Sequence, residues 1–121
     1  MTRQELRDYC KAKRGVSEEF PFGIENAVYK VMTKMFALVP IMPDDNHMIT
    51  VKCDPTWAML LRQTHAAVQP AYHFNKVHWN QIMMDGSVPL DEIQEIIDHS
   101  YNLVVKGLTR AQKQQLSALS D

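Results

Sequence analysis

Between Leu90 and Leu108 an apolar side chain returns every three or four residues: Leu90, Ile93, Ile97, Tyr101, Val104 and Leu108. That period lays one apolar stripe along one side of an α-helix. Asp91, Glu92 and Glu95 crowd its first turns and Lys106 its last, matching the helix dipole at both ends, and Gly107 follows as a stop. A helix with one apolar side needs a surface to lie on. With 121 residues in all, that surface has to come from the same single domain.

The upstream residues read as that surface. Ala27 to Met32, Met35 to Ile41 and His47 to Cys53 are strand-like runs. Thr33-Lys34 is the expected turn between the first two, although it lacks the Asn-Gly chemistry of tight hairpins. The cluster Pro43-Asp44-Asp45-Asn46 signals a loop. Asp54-Pro55 then starts a helix to about Thr64, since Asp caps well and Pro suits the first turn. An extended stretch broken by Pro70 and a run from His78 to Met84 supply two more strands, with Asp85-Gly86 as the turn that follows.

At the N-terminus, Thr2 and Glu5 have capping-box spacing. Leu6, Tyr9, Cys10 and the stem of Lys13 share a stripe, and Gly15 is the expected end of that helix. A polar loop with Glu18 and Glu19 leads to Phe20-Pro21-Phe22-Gly23, which breaks any regular element. Short connections favour antiparallel pairing. The expected architecture is therefore α+β: a two-layer sandwich in the order α-β3-α-β2-α, its antiparallel five-stranded sheet carrying the helices on one face. Residues 1–108 form the domain. Residues 109–121 form a tail, in which Thr109 and Gln112 cap a short helix packed on the same domain.

Several function classes drop out early. Hydrophobic residues make up 45% and charged residues 22%, an ordinary globular balance, and the net charge of -1 gives no global pull toward nucleic acid or anionic membrane. Cys10 and Cys53 are too few for a disulfide framework and read as reduced thiols. The first residues lack the apolar core of a signal peptide, and the apolar run Met35 to Met42 is short and holds Pro40. A soluble, cytoplasmic protein without a membrane anchor is expected. No nucleophile elbow, P-loop or dinucleotide fingerprint is present. The five histidines lack ligand spacing: His73 and His78 lie five apart on an extended stretch, and His47, His65 and His99 have no ligand-like neighbours. The pairs Asp44-Asp45 and Asp91-Glu92 sit where loops and helix starts place acids. A non-enzymatic protein with no catalytic residues, no metal and no cofactor is expected.

Two basic features remain. Arg3, Arg7, Lys11 and Arg14 draw one stripe along the first helix, and a solvated helix face explains them. The other is the outer side of the sheet. With Ile49, Val51 and Cys53 inward, Thr50 and Lys52 point outward; with Ile82 and Met84 inward, Trp79 and Gln81 point outward. Lys30 joins them. Cations beside an aromatic platform suit nucleic acid, unless loops cover that face. The adjacent stretch from Pro70 to Asn80 is dense in aromatics and side-chain donors.

These residues, with Pro21-Phe22-Gly23, Lys34 to Leu38, Lys52 to Pro55, Pro70 to Lys76, His78 to Asn80, Asp85 to Pro89 and His99-Ser100-Tyr101, fall in an order that resembles the MmcQ/YjbR family of small bacterial proteins. The resemblance covers roughly residues 2 to 108. It implies the α-β3-α-β2-α domain and a DNA-binding role through a double wing, with no catalysis and no cofactor. The same general fold resembles secretion chaperones, which makes a protein- or peptide-binding module the alternative. Carried over residue by residue, the nucleic-acid-binding set is Lys34, Lys52, Tyr72, His73, Asn75, Lys76, His78 and Trp79. Duplex DNA, bound weakly and salt-dependently by a monomer or weak dimer, is the expected partner, with no membrane. Lysines around Trp79 favour nucleic acid; an apolar groove around it favours a peptide.

Overall fold

The computed structural model describes residues 1–42 and 46–119. The expected loop at Pro43-Asp44-Asp45, with its acid pair, lies outside them. Helix α1 (Arg3–Lys11) opens with the Thr2/Glu5 capping box and buries Leu6 and Cys10. It ends at Ala12 rather than at Gly15, whose φ of +72° turns the chain into a strand where the polar sequence predicts a loop. Strand β1 (Val16–Glu19) pairs antiparallel with β2 (Asn26–Val31), so the sheet has six strands and not five. Its Val-Ser-Glu-Glu sequence is too polar to signal a strand. Tertiary partners hold it instead: Glu18 meets Arg7 of α1 at 3.1 Å and accepts from the Tyr29 hydroxyl at 2.7 Å, and Glu19 meets Lys30 at 3.3 Å.

The β2–β3 hairpin turns at Met32-Thr33, one residue earlier than expected, with β3 spanning Lys34–Pro40. Both turn residues have positive φ, 47° and 72°, the backbone of a tight hairpin turn without glycine. Gln112 of α4 (Arg110–Ser117) donates to the Met32 carbonyl at 3.3 Å and supports that turn. Strand β4 (Met48–Lys52), helix α2 (Pro55–Thr64), strands β5 (Val68–Pro70) and β6 (Trp79–Met83), and helix α3 (Leu90–Lys106) complete the chain order. The strand order across the sheet is β1-β2-β3-β4-β6-β5, all pairs antiparallel. Asp54 caps α2 through Thr56 and Trp57, with Pro55 in the first turn, as the sequence implies.

One apolar cluster joins the inner sheet residues Ala27, Tyr29, Val31, Ala37, Val39, Ile49, Val51 and Ile82 to Leu6 of α1, Ala58 and Leu61 of α2, and Ile93, Ile97 and Val104 of α3. Ile96 belongs to it too, so the buried stripe of α3 is wider than the sequence periodicity indicates. Leu90 does not: it is 52% exposed. Phe36 bulges out of β3 between the Tyr29–Ala37 and Lys30–Met35 pairs and packs edge-on to Tyr101, centroids 5.4 Å apart. Beside this bulge, the buried Ser100 hydroxyl donates to the Phe36 carbonyl at 2.6 Å and accepts from the Lys52 N–H at 2.9 Å. It bridges two strands where the ladder is interrupted. No helix of the described residues is long and apolar enough to cross a membrane.

Candidate nucleic-acid interface

Strand alternation fixes what the other face shows. The register aligns three rows there. Asn26, Pro40, Met48 and Met83 form one; Val28, Leu38, Thr50, Gln81 and Gln69 the next; the pairs Lys30–Met35 and Lys52–Trp79, on either side of the bulge, the third. Thr50, Lys52, Trp79, Gln81 and Lys30 therefore share a face, as the alternation implies. From the first two rows, Asn26, Pro40, Met48, Leu38, Thr50 and Gln81 floor a groove of about 950 Å³. Phe22 and Glu25 wall it on the β2 side, and Ala71, Tyr72, His73 and Phe74 on the β6 side. The groove is mostly apolar, and Glu25 is the charged residue in its lining. Phe22 and Tyr72 stand 60% and 58% exposed at its rim. Phe20-Pro21-Phe22-Gly23 does break the sheet, but it also builds one wall.

The cations lie beside the groove rather than in it. Lys52 is cross-strand partner to Trp79 on the third row. Trp79 is half-buried because Phe74 stacks on it, with centroids 5.1 Å apart and planes at 29°. Lys76 places its ammonium 5.2 Å from the centre of the exposed Tyr72 ring, within cation–π range. Lys30 is neutralised by Glu19. Neither Lys52 nor Lys76 has a carboxylate partner among the described residues. The acids of α3 belong to the helix layer on the other side of the sheet.

Lys34 does not join this group. It is exposed at the start of β3, opposite Val31 and next to the hairpin turn. Asn75 shapes the loop instead of facing a ligand: its side-chain oxygen accepts from the Val77 N–H at 2.9 Å, and its carbonyl accepts from His78 and Trp79. The His78 carbonyl accepts from the Cys53 N–H at 2.7 Å, extending the β4–β6 pairing, and its ring is half-buried. His73 is exposed on the groove wall. The set named from sequence is thus brought together in part: Lys52, Tyr72, His73, Lys76 and Trp79 gather on one face, Asn75 and His78 hold the loop, and Lys34 stands apart.

Arg62 escaped the sequence reading. From the last turn of α2 its guanidinium donates to the Asn80 side chain at 2.6 Å and to the carbonyls of Lys76 and Trp79. Asn80, itself buried, donates back to the Ala58 carbonyl at 3.3 Å. One cation thus ties α2, β6 and the loop together. Its sequence signal was a lone arginine in a final helical turn, which the dipole alone accounts for. The stripe of α1 is likewise structural at Arg7, which pairs with Glu18.

Burial pushes the Cys10 and Cys53 thiols up to about 12, so neither is a thiolate near neutral pH. Both are buried and free. Among the described residues, no three His, Cys, Asp or Glu side chains gather as a metal site.

Comparison with known proteins places this geometry among relatives. The family model described as YjbR matches residues 11–103. The uncharacterised Escherichia coli protein YjbR is 34% identical over 119 residues, spanning 98% of this chain and all of that protein. The uncharacterised Bacillus subtilis protein YyaQ is 26% identical over 85% of this chain and 98% of its own length. Among solved structures, Deinococcus radiodurans protein DR2400, with a DUF419 domain, superposes with a TM-score of 0.87 at 38% identity, over 96% of this chain and 88% of that one. A Pseudomonas syringae protein gives a TM-score of 0.73 at 28% identity, over 85% of this chain and 98% of that one.

Proposed function

The chain belongs to the YjbR family, and from its sheet we propose that it is a nucleic-acid-binding domain that holds a phosphate backbone on the face away from its helices. The observation that carries this reading is the pairing of Lys52 with Trp79, flanked by Lys76 over Tyr72. Two ammonium groups without carboxylate partners sit beside an aromatic platform, and the acidic α3 lies in the opposite layer. Cations of this kind neutralise phosphates, and aromatic faces take bases without strong sequence preference. The buried thiols offer no nucleophile, which favours binding over catalysis.

Few cations are available, so few phosphates are contacted. With about three contacts, affinity falls roughly tenfold to a hundredfold between about 50 and 200 mM salt. A salt-dependent titration of oligonucleotides against wild type and Lys52→Ala/Lys76→Ala tests this. The double variant is expected to bind more weakly and with a salt slope shallower by one to two units, since each lost phosphate contact lowers the slope by about one. Binding indifferent to both lysines counts against the reading. The second reading, a peptide-binding module, draws on the apolar groove lining at Phe22, Leu38, Pro40 and Met42. It gains if oligonucleotides fail to bind and extended apolar peptides do so in a way that Phe22→Ala abolishes.

A further inference from the structure

Thr50 and Gln81 lie directly opposite each other on β4 and β6, on the floor of the groove. Neither side chain has a hydrogen-bond partner among the described residues. Thr50 is nevertheless only 3% exposed. A hydroxyl and a primary amide, side by side on the floor, present donors and acceptors at one spot. The Thr50 hydroxyl is not among the buried unpartnered atoms, so it opens onto the groove, where an entering ligand can bring it a hydrogen bond. Tyr72 and Phe74 stand beside them as an aromatic wall. Lys52 follows Thr50 by two residues on the same face, about 7 Å further along the strand. Glu25 occupies the opposite wall, so an anion is repelled from that end and drawn to the lysine end.

From this juxtaposition we propose that the groove takes one unstacked base of a single-stranded nucleic acid, with its edge on Thr50 and Gln81, its face on the Tyr72/Phe74 wall, and its backbone phosphate at Lys52 and Lys76. The inference rests on the nucleic-acid reading and narrows the duplex expectation. A base in a duplex is stacked on both sides and cannot enter a groove without being extruded, at a cost that is least for a strand already single. The groove volume of about 950 Å³ lies in the range of small-ligand sites. Amide and hydroxyl groups match the polar edge of every base in some orientation, so base preference is modest.

Fluorescence anisotropy with three labelled probes of equal length, at one low salt concentration, tests it: a mixed-sequence DNA single strand, the same sequence as a duplex, and an abasic deoxyribose-phosphate strand. Wild type is expected to bind the single strand at least tenfold more tightly than either other probe. Thr50→Val/Gln81→Leu is expected to lose that preference over the abasic strand, and Lys52→Ala/Lys76→Ala to weaken all three. Equal wild-type affinity for the base-bearing and abasic strands, or tighter binding of the duplex, overturns the inference. If the lysine variant still weakens binding in that case, the nucleic-acid reading survives. No binding of any probe overturns both. The abasic comparison needs only wild-type protein, so a Thr50→Val/Gln81→Leu variant that failed to fold would leave the test intact.

Discussion

Ser100 and Thr50 are both buried residues that carry a hydroxyl, on opposite sides of the same sheet. Ser100, on α3, is fully used: it donates to Phe36 and accepts from Lys52, closing a gap in the ladder between β3 and β4. Thr50, in the middle of β4, has no protein partner among the described residues and faces a groove. The same contrast runs through the surroundings of each. Next to Ser100, His99 accepts from the Asp54 N–H at 3.1 Å and Tyr101 donates to the Arg14 carbonyl at 2.6 Å. Three consecutive residues of α3 thus hold the start of α2, the sheet and the end of the α1 segment. Around Thr50, the polar groups of Gln81 and the cations of Lys52 and Lys76 are left over once the fold is made. One face spends its polar chemistry on stability; the other keeps it available.

That contrast orders the expected effects of substitution. Ile97, fully buried on the helix side, should cost about 2–5 kcal/mol when cut to alanine, through lost burial and a residual cavity. Denaturant unfolding measures it, and a loss below about 1 kcal/mol would break the assignment of α3 to the core. Ser100→Ala leaves two buried backbone groups without a partner and should cost about 1–3 kcal/mol.

A smaller effect on the same face depends on pH. Burial lowers the His99 pKa, with Asp54 and Glu95 partly opposing. Its ring nitrogen is an acceptor for the Asp54 N–H, so the folded state favours the neutral ring. The unfolded chain, titrating near about 6.5, takes up the proton first as pH falls. Stability from His99 is therefore whole above that value and is lost as pH drops from there to the lowered folded value. Thermal midpoints across this window should fall less steeply for His99→Gln than for wild type; equal slopes would show that another group titrates there. The smallest stability change belongs to the outer face. Thr50→Val, which keeps the shape and removes an unpartnered hydroxyl, should shift stability by no more than about 0.5 kcal/mol, while impairing ligand binding.

Much of the helix side is legible in the sequence because its signals are local or periodic. The Thr2/Glu5 and Thr109/Gln112 boxes, the Asp54 cap and the α3 stripe each lie within a few turns of chain. The outward set Thr50, Lys52, Trp79 and Gln81 follows from period two once one side of β4 and β6 is apolar. What stayed hidden depends on partners far along the chain. Strand β1 is held by Arg7, Tyr29 and Lys30 rather than by its own propensity. The turn at Met32-Thr33 leans on Gln112, 80 residues away. Leu90 fits the helical period but falls at the exposed first turn of α3, where the stripe has run past the sheet. The groove is assembled from two separate loops, and Arg62 acts on a loop that begins several residues after its own helix ends.

Backbone amide chemical-shift mapping tests the division between the two faces most directly. On titrating a single-stranded oligonucleotide into the wild-type protein at low salt, perturbations should gather at Thr50, Lys52, the segment from Tyr72 to Trp79, and Gln81, with Ile93, Ile97 and Val104 of α3 unmoved. Perturbations centred on α1 or α3, with the outer face silent, would contradict the account.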